Sequence, residues 1–250
     1  MNDAVASGPA RGGQKREDIS TQAGAPGLVI KHFFPGFRPA VVFDVGANIG
    51  RSAAAFASAF PEATIYAFEP VTSVCRTLEA NVADQPRVRV FNTALGRRSG
   101  RAHVTKRPAS TSNRIVESPN LFERRKTESV AMTSGDEFST QHGIERIGFL
   151  KIDAEGHDLD VLVGFQRMLS ARQIDFLETE VGMNRENARH VPFEAVKAYL
   201  EPIGYRLLHI HDLAMDTPFS GRVVLRRVNA MFASDAFVEA NRVEPENWAR

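Results

Sequence analysis

Three carboxyl groups and one imidazole lie within six consecutive residues, in the segment Asp153-Ala154-Glu155-Gly156-His157-Asp158. The segment follows the apolar run Phe149-Leu150-Lys151-Ile152, which predicts a buried strand. Open α/β sheets bind ligands where such strands end, so this segment is a candidate catalytic site. Asp153 is the first candidate for a general base, because restricted solvation at a buried strand end raises the pKa of a carboxyl group.

His157 is the second candidate for a general base, because an unperturbed imidazole titrates near neutral pH. A helix-capping or surface role for His157 is the alternative. The carboxyl groups of Asp153, Glu155 and Glu180 could also hold Mg²⁺, which prefers oxygen ligands. Their spacing does not select a metal, so no residue is assigned as a metal ligand.

A glycine-containing turn follows another apolar run, Val41-Val42-Phe43. Its pattern, Asp44-Val45-Gly46-Ala47-Asn48-Ile49-Gly50, predicts a tight turn from a strand into a helix. A dinucleotide-binding turn needs a second glycine for close approach of the pyrophosphate, and Asn48 occupies that position. A carboxylate at Asp44 suits a cationic ligand instead. S-adenosylmethionine (SAM) carries an ammonium and a sulfonium and no phosphate, so the turn favours SAM; a turn without a ligand is the alternative.

Two later segments fit the same ligand. Glu69 ends the predicted strand Thr64–Phe68, about twenty residues beyond the glycine turn, where an acidic residue of such folds binds ribose hydroxyls. A carboxylate accepts two hydroxyl hydrogen bonds without needing charge on the ligand. The segment Asn92-Thr93-Ala94 follows the predicted strand Val88–Phe91 and could border an adenine. The alternatives for these two segments are a solvated strand end and an ordinary loop.

The order strand, helix, strand, helix, strand between residues 41 and 91 predicts the first half of a parallel α/β sheet with helices on both faces. Further strands are predicted around Val130, at Phe149–Ile152, at Ile174–Leu177, at Tyr205–His209 and, paired antiparallel, at Asn229–Ala233. A chain of 250 residues suits one α/β domain. We expect a flexible tail at residues 1–27, one catalytic domain at 28–235 and a C-terminal tail at 236–250.

Between residues 97 and 126 the pattern changes to nine basic residues with scattered Ser and Thr, which predicts an insertion between the third and fourth strands of the sheet. One interpretation is a solvated loop or edge hairpin, because runs of charge usually face water. The other is a substrate-facing insertion that binds a phosphorylated or carboxylated acceptor. In that case Arg114 and Arg124 are the candidate contacts.

The formal net charge is +1, so no overall field argues for binding to nucleic acid or to a membrane surface. The single cysteine, Cys75, falls in an apolar helical pattern and is expected in the core. No apolar run approaches the length of a bilayer span, and the N-terminus lacks the hydrophobic core of a signal peptide. We therefore expect a cytoplasmic protein. The sequence does not determine its oligomeric state.

Four segments together resemble the FkbM-type methyltransferases, and the resemblance runs from about residue 40 to about residue 233. The segments are Phe43–Gly50, Phe68–Pro70, Asn92–Gly96 and Leu150–Gly156. The family's fold is a Rossmann-like, seven-stranded sheet flanked by helices. The resemblance also implies SAM as the methyl donor.

The resemblance further implies roles for individual residues. Asp44, Gly46, Asn48 and Gly50 would border the methionine part of SAM, Glu69 its ribose and Asn92, Thr93 and Ala94 its adenine side, while Asp153, Glu155 and Glu180 would face the acceptor. Many relatives have Ala and then Glu after the Glu-Gly pair, whereas this chain has His157-Asp158. The departure leaves open whether His157 is an added base.

The resemblance favours methylation of a hydroxyl oxygen on a sugar, a glycoconjugate or a secondary metabolite. Methyl transfer is an in-line displacement, so the protein mainly aligns donor and acceptor and manages a proton. N-methylation of an amine is a second enzymatic interpretation and needs less help from a base. A non-catalytic SAM-binding module is a third, which the crowded acidic segment disfavours. A nucleotide-dependent oxidoreductase is disfavoured by Asn48.

Overall fold

Two β-sheets form the framework of the protein, which a computed structural model describes at residues 26–106, 113–116, 120, 122, 125–216 and 223–242. In chain order the strands are β1 (Val41–Val45), β2 (Thr64–Phe68), β3 (Val88–Phe91), β4 (Ala94–Leu95), β5 (Gly100–Thr105), β6 (Ile115–Val116), β7 (Thr127–Thr133), β8 (Ile147–Ile152), β9 (Ile174–Gly182), β10 (Tyr205–Met215) and β11 (Leu225–Ser234). The larger sheet has seven strands in the spatial order β10-β11-β9-β8-β1-β2-β3. The smaller sheet has the order β4-β7-β5-β6.

The larger sheet is mostly parallel. β1 pairs with β2 and β8, and the parallel arrangement continues to β3 on one side and to β9 on the other. β11 pairs antiparallel with both β9 and β10. Val42 and Phe149 are fully buried on one face of this sheet, and Phe43 and Leu150 are fully buried on the other. Strands buried on both faces need helices on both faces, and the predicted Rossmann-like sheet is confirmed.

The helices cover the two faces of the larger sheet. In chain order they are α1 (Pro26–Phe33), α2 (Arg51–Ala59), α3 (Thr72–Asn81), α4 (Gly135–Gln141), α5 (Asp158–Gly164), α6 (Gln166–Ser170), α7 (Phe193–Leu200) and α8 (Asp235–Ala240). One apolar cluster contains Ile30 of α1, Phe56 of α2 and Phe237 of α8. The opposite cluster contains residues of α4 to α7, including Leu162 and Val196. The resulting three layers leave the carboxyl ends of the parallel strands open to a ligand.

The smaller sheet is the insertion expected between the third and fourth strands of the main sheet. β5 pairs antiparallel with both β6 and β7, so the basic segment includes an edge hairpin. Ala102, Val104 and Val130 form a third apolar cluster with Val74 of α3. This packing fixes the smaller sheet beside the ends of β2 and β3. Arg124 lies outside the described residues.

The packed unit extends beyond residue 235, where the domain was expected to end. Phe237 of α8 is 8% exposed, and its ring contacts the rings of Phe34, Phe37 and Phe176. Aromatic contacts of this kind bury a large apolar area, so α8 belongs to the core rather than to a tail. At the other end α1 begins at Pro26, and residues 1–25 lie outside the described part. Within the described residues, no helix has the length and apolar character needed to cross a bilayer.

Candidate functional site

The glycine turn after β1 lies against the acidic segment after β8. Gly46 has φ +77°, and a Cβ at this position would lie 2.0 Å from the backbone oxygen of Asp153. Only glycine tolerates both the positive φ and this close approach. The backbone N–H of Asp153 donates to the carbonyl oxygen of Val45 at 3.0 Å. The segment expected to bind the donor and the segment expected to catalyse therefore meet at one edge of the sheet.

Asp44 lies beneath this edge rather than on it. Its side chain is fully buried, Ser52 Oγ donates to its Oδ2 at 2.6 Å, and Lys151 Nζ lies 3.5 Å from its Oδ1. Burial raises the pKa of Asp44, while Lys151 and Ser52 oppose the rise. A direct contact with the methionine part of SAM would need exposed atoms, which Asp44 lacks. Its geometry indicates that it anchors α2 and pairs with Lys151.

Lys151 is a site residue to which the sequence patterns gave no role. Asp44, Lys151 and Glu178 are register neighbours on β1, β8 and β9, so an ammonium lies between two carboxylates. Lys151 Nζ also lies 3.6 Å from Asp153 Oδ2, and His211 Nε2 lies 2.9 Å from Glu178 Oε2. Burial alone would lower the pKa of Lys151, but the carboxylates raise it above its usual value. The sequence did contain a signal for Lys151, namely a charged residue within an apolar strand, because a buried charge needs a partner.

Glu69 holds the glycine turn from the end of β2. Its side chain is almost buried; Oε2 accepts from the backbone N–H of Asn48 at 3.1 Å, and Oε1 accepts from that of Val71 at 2.9 Å. Burial raises the pKa of Glu69 to about 7, although both hydrogen bonds lower it. Each carboxylate oxygen has a further lone pair. Glu69 can therefore hold the turn and still accept hydrogen bonds from ligand hydroxyls.

A cavity lies between the ends of β1 to β3 and the smaller sheet. Among the residues expected to bind the donor, its lining includes Gly46, Asn48, Glu69, Thr93 and Ala94. The smaller sheet and the residues beside it add Val104, Asn113 and Ile115. The insertion therefore forms one wall of this donor-side cavity.

Two residues that were expected to bind the donor, Gly50 and Asn92, instead support the wall of the cavity. Gly50 has φ +91°, and a Cβ there would lie 2.7 Å from Leu78 Cδ1, so this glycine lets α2 start against α3. Asn92 Nδ2 donates to the carbonyl oxygens of Glu69 and Pro70, both at 2.9 Å. Both residues shape the cavity wall instead of presenting a group to a ligand.

A second cavity lies over the ends of β8, β9 and β11. It shares Gly46, Asn48, Asp153 and Glu155 with the donor-side cavity. Its own wall includes Arg51, Lys151, Glu178, Glu180, His211 and Arg227. We refer to it as the acceptor-side cavity. Of these shared residues, Asp153 and Glu155 carry carboxyl groups.

These two carboxyl groups have different surroundings. The side chain of Asp153 is 42% exposed, so the restricted solvation expected for it is absent, because β8 ends one residue earlier. Glu155 is 14% exposed, and Arg189 Nε and Nη2 donate to its Oε2 at 3.0 and 2.8 Å. Burial raises the pKa of Glu155 although Arg189 opposes the rise. Restricted solvation, which was expected to raise the pKa of the Asp153 carboxyl group, therefore acts on Glu155 instead.

The backbone around Glu155 is held in an unusual conformation. Glu155 has φ +52° and Gly156 has φ +99°, and a Cβ on Gly156 would lie 2.3 Å from the carbonyl oxygen of Arg189. Asp158 Oδ2 accepts from the backbone N–H of Gly156 at 3.1 Å, and its Oδ1 accepts from Thr179 Oγ1 at 3.0 Å. Burial raises the pKa of Asp158 to about 6. The left-handed φ at a non-glycine residue marks a turn that its surroundings enforce.

His157 faces the smaller sheet, so the structure gives no support to its expected role as a base. Its Nε2 lies 3.1 Å from the carbonyl oxygen of Ile115, which can only accept a hydrogen bond, and Nδ1 lies 3.5 Å from Asp160 Oδ2. Both ring nitrogens therefore have protein partners. Among the described residues, it is Asp153, Ala154 and Glu155 of this segment that line the two cavities, and His157 does not. His157 stands at the N-cap position of α5, but its side chain makes no capping hydrogen bond there.

Glu180 lies on the acceptor-side wall as expected. Its Oε2 lies 2.6 Å from His190 Nε2, and Arg227 donates to its Oε1. Burial alone would raise the pKa of Glu180, but His190, Arg227 and Lys151 lower it. No sequence pattern singled out Arg189 or His190, because they lie on a loop without a recognisable motif.

Glu155, Glu180 and His190 offer ligand atoms within 4.8 Å of one another, the spacing of a possible metal site. Each carboxylate of this group is already bound by a guanidinium, that of Arg189 or that of Arg227. The two guanidiniums supply the positive charge that a cation would otherwise supply. The cluster therefore gives no support to the Mg²⁺ alternative.

Arg114 is exposed beside β6 and lines a third space. This space adjoins the site because Glu155 and Arg189 also line it. Acidic groups of Glu186 and Asp216 share the lining, so its charge is mixed. The position is compatible with contact to an extended acceptor and does not select an anion.

The model of the methyltransferase FkbM domain matches residues 44–207. The chain belongs to the FkbM methyltransferase family. The match begins at Asp44 in β1 and ends at Leu207 in β10, so it includes the glycine turn, the smaller sheet and the acidic segment. Membership confirms the resemblance to the FkbM-type methyltransferases that the four sequence segments indicate.

Three relatives of known name are similar in sequence. The AMB antimetabolite synthetase AmbE of Pseudomonas aeruginosa is 29% identical, over 71% of this chain and 10% of that protein. The hexuronic acid methyltransferase AglP of Haloferax volcanii is 24% identical over 62% of both chains. The 2-O-methyltransferase NoeI of Sinorhizobium fredii is 22% identical, over 62% of this chain and 69% of that protein. The chain thus spans a small part of the first relative and about three fifths of the second.

Solved structures share the fold at low sequence identity. An rRNA methylase from Streptococcus thermophilus has a TM-score of 0.46 and 10% identity, over 83% of this chain and 93% of that chain. The TrmK protein of M. capricolum, in complex with S-adenosylhomocysteine, has a TM-score of 0.44 and 9% identity, over 78% and 62% of the two chains. These likenesses concern the fold and carry no argument about the acceptor. The expected absence of a nucleic-acid partner stays a prediction.

Proposed function

We propose that this methyltransferase transfers the methyl group of SAM to a hydroxyl oxygen of a sugar, a glycoconjugate or a related secondary metabolite. The observation that carries the proposal is the junction of the two cavities at Asp153 and Glu155. A donor in one cavity and an acceptor in the other would meet beside groups that accept protons. The printed functions of two relatives, a hexuronic acid methyltransferase and a 2-O-methyltransferase, support the choice of an oxygen on a sugar.

The residues of the donor-side cavity fit SAM. Glu69 is almost buried and retains lone pairs for two ribose hydroxyls. Thr93 and Ala94 would border the adenine, and Gly46 and Asn48 would border the methionine part. When bound, SAM supplies a methyl carbon that its sulfonium already activates, so the residues of the chain need to provide alignment and a proton acceptor.

Glu155 is the group that we propose takes the proton. The acceptor oxygen forms the new bond to the methyl carbon, the bond from that carbon to sulfur breaks, and the hydroxyl proton passes to a carboxylate. Burial raises the pKa of Glu155, which brings its basicity closer to what a general base needs near neutral pH. Arg189 occupies one carboxylate oxygen, so Oε1 is the oxygen available to the acceptor. Asp153, on the same junction, is the second candidate.

The acceptor-side wall suits a molecule with several hydroxyl groups. Carboxylates such as Glu178 and Glu180 accept hydrogen bonds from hydroxyls, and Arg51 and Arg227 can donate to ring or hydroxyl oxygens. A carboxylate or phosphate on an extended acceptor would find Arg114 in the adjoining space. The wall therefore supports a polyhydroxylated acceptor, with an anionic substituent as an option at its far end.

The proposal is tested by incubating the protein with isotopically labelled SAM and a panel of uronic acids, deoxysugars and aminosugars, each free and as a glycoside. Mass spectrometry then locates the label on oxygen or on nitrogen. A label on a sugar oxygen supports the proposal. A label only on the amino group of the aminosugars would establish N-methylation instead, and SAM binding without transfer to this panel or to cell extracts would favour a non-catalytic module.

The choice of base is tested by replacing Glu155→Gln and Asp153→Asn in separate variants. A general base contributes about 10² to 10⁴ in rate, so kcat should fall by that factor in the variant that loses the base. The affinity for SAM, measured by calorimetry, should stay close to wild type in both. Glu62→Gln removes an exposed carboxyl group outside the site and serves as the matched control. A large loss for Asp153→Asn with intact turnover for Glu155→Gln would reverse the assignment.

A further inference from the structure

The edge strand of the smaller sheet borders the donor-side cavity. β6 pairs with β5 at two positions, Ile115 with Val104 and Val116 with His103. Ile115 and Val104 also line the cavity. Two paired residues hold a strand weakly, so the position of this part of the cavity wall depends on what contacts the outer edge of β6.

The carbonyl group of Ile115 points away from β5. The carbonyl oxygen of the preceding residue, Arg114, accepts from the backbone N–H of Thr105 at 3.0 Å. Successive carbonyl groups of a strand point to opposite edges, so the carbonyl group of Ile115 points outward. An outward carbonyl group on an edge strand is available to a hydrogen-bond donor from another part of the protein.

His157 supplies that donor. Its Nε2 lies 3.1 Å from the carbonyl oxygen of Ile115, which is 42 residues away in the chain. A carbonyl oxygen can only accept, so the hydrogen of this bond belongs to Nε2. The side chain of His157 is 19% exposed, so the contact is largely shielded from water.

The base from which the His157 ring extends is held firmly. The backbone N–H of His157 donates to the carbonyl oxygen of Ala154 at 3.2 Å, and its carbonyl oxygen accepts from the N–H of Val161 at 3.0 Å. Nδ1 lies 3.5 Å from Oδ2 of Asp160, whose Oδ1 accepts from Nε of Arg97 at 2.9 Å. Arg97 lies between β4 and β5. The start of α5 therefore contacts the smaller sheet at two places, Arg97 and the outer edge of β6.

We propose that His157 is a positioning residue for the methyl donor, because its hydrogen bond holds Ile115 in the wall of the donor-side cavity. The proposal rests on the proposed function, which assigns SAM to this cavity. The side chains of Val74, Val104 and Ile115 give the donor an apolar surface to pack against. Ile115 belongs to that surface while β6 stays in place.

This role differs from that of a general base. A base must reach the acceptor hydroxyl, whereas His157 lines neither the donor-side nor the acceptor-side cavity. His157 therefore acts on the donor through Ile115. Loss of the contact should weaken the binding of SAM and leave kcat at saturating SAM unchanged.

The role is tested by calorimetric titration of the full chain with SAM. His157→Ala removes one hydrogen bond and should raise the Kd of SAM by about three- to tenfold. His157→Gln places an amide N–H near the position of Nε2, so its Kd should return close to that of wild type. His32→Ala removes an exposed imidazole of α1 and is the matched control. If His157→Gln binds SAM as weakly as His157→Ala does, the hydrogen bond is not the cause and the proposal is overturned.

Titration with S-adenosylhomocysteine separates the cavity wall from an effect of charge. This ligand lacks the transferred methyl group, and its sulfur is uncharged. His157→Ala should raise its Kd by the same factor as that of SAM, because the wall contacts parts that the two ligands share. A change for SAM alone would mean that His157 acts on the sulfonium, which would overturn the proposal.

A double-mutant cycle tests whether His157 acts through Ile115. Ile115→Ala removes the side chain that the hydrogen bond holds in the wall. The double variant with His157→Ala should therefore bind SAM about as weakly as Ile115→Ala alone, since residues that act through one contact are not additive. Full additivity of the two effects on the free energy of SAM binding would overturn the proposal.

Hydrogen exchange tests the contact without any ligand. Peptides that contain β6 should exchange faster in His157→Ala than in wild type, while peptides of β8 and β9 should not change. Unchanged exchange at β6 would show that the contact does not hold the strand. Faster exchange in β8 and β9 as well would mean that His157 supports the whole fold. Either result would overturn the proposal.

Glu69→Ala separates failure of this proposal from failure of the proposed function. Glu69 lines the same cavity and accepts hydrogen bonds in the glycine turn, so its loss should weaken SAM binding whatever His157 does. Weak binding in Glu69→Ala together with wild-type affinity in His157→Ala would overturn the role of His157 alone. Wild-type affinity in Glu69→Ala would place the donor outside this cavity and overturn both.

Discussion

Replacement of Lys151 with methionine should destabilise the fold strongly, although the methionine is apolar and of similar length. Lys151 Nζ lies 3.5 Å from Asp44 Oδ1, and Asp44 is fully buried. At this separation and an effective dielectric constant of about 20, the attraction is about 5 kcal/mol. Removing one partner of such a pair leaves a buried charge, with a typical cost of about 3 to 5 kcal/mol. For a chain of this length that cost lowers Tm by about 6 to 20 °C.

The double variant Lys151→Met with Asp44→Asn should recover most of that loss. Asparagine keeps an oxygen that can accept from Ser52 Oγ and removes the unpaired charge at position 44, while Glu178 keeps His211 as its partner. In Lys151→Met alone, the folded-state pKa of Asp44 lies above its unfolded value. The folded state then gains a proton as the pH falls, so the cost should be largest at neutral pH and should shrink on acidification. Urea unfolding followed by circular dichroism, at several pH values, measures the free energy of unfolding of the wild-type protein, of Lys151→Met and of the double variant.

Two results would refute this reasoning. If the double variant is no more stable than Lys151→Met, the loss does not come from an unpaired Asp44. If Asp44→Asn remains folded but loses affinity for SAM, the carboxylate contacts the donor directly, as the sequence first suggested. The geometry leads us to expect the opposite, with calorimetric SAM affinity close to wild type, because the Asp44 side chain has no exposed surface.

Three further predictions concern the donor site and the core. Burial raises the pKa of Glu69 to about 7, so calorimetric SAM affinity should fall as the carboxyl group gains a proton between about pH 8 and about pH 6, and Glu69→Gln should abolish that dependence. His157→Gln should retain wild-type kcat in the labelled-SAM assay, because the His157 ring is held by the Ile115 carbonyl oxygen and His157 lines neither of the two cavities. Phe237→Ala should lower the free energy of urea unfolding by about 3 to 5 kcal/mol, since the ring packs in the core. A change near zero would mean that Phe237 belongs to a C-terminal tail, as the sequence first suggested.

The positions of the strands along the chain and the edge of the sheet that carries the candidate site could be predicted from the sequence, because both depend on local patterns. Apolar runs such as 41–43 and 149–152 are buried on both faces, as an internal parallel strand requires. Gly46 and Gly156 mark turns whose close approaches leave no room for a Cβ. A glycine of this kind can be read from one sequence, because no other residue satisfies the backbone.

The partners of the site residues could not be predicted, because they come from distant segments. Arg189 and His190 reach Glu155 and Glu180 from a loop that has no motif, and Asn187 orients the ring of His190 through its contact with the carbonyl of Arg226. Periodicity shows that an element has a buried face, but it does not show which side chains meet above the edge of a sheet.

The comparison of Asp153 with Glu155 shows what cannot be predicted from local sequence patterns. A strand period places Asp153 next in line after Ile152, which made it the buried candidate. The chain leaves the strand at that residue, and the left-handed φ of Glu155 turns the later carboxyl group inward instead. Glutamate has no preference for that conformation, so only the surrounding contacts, with Asp158 on one side and Arg189 on the other, can enforce it. Of Asp153 and Glu155, the residue with the less predictable backbone conformation is therefore Glu155, whose carboxyl group is the more buried of the two.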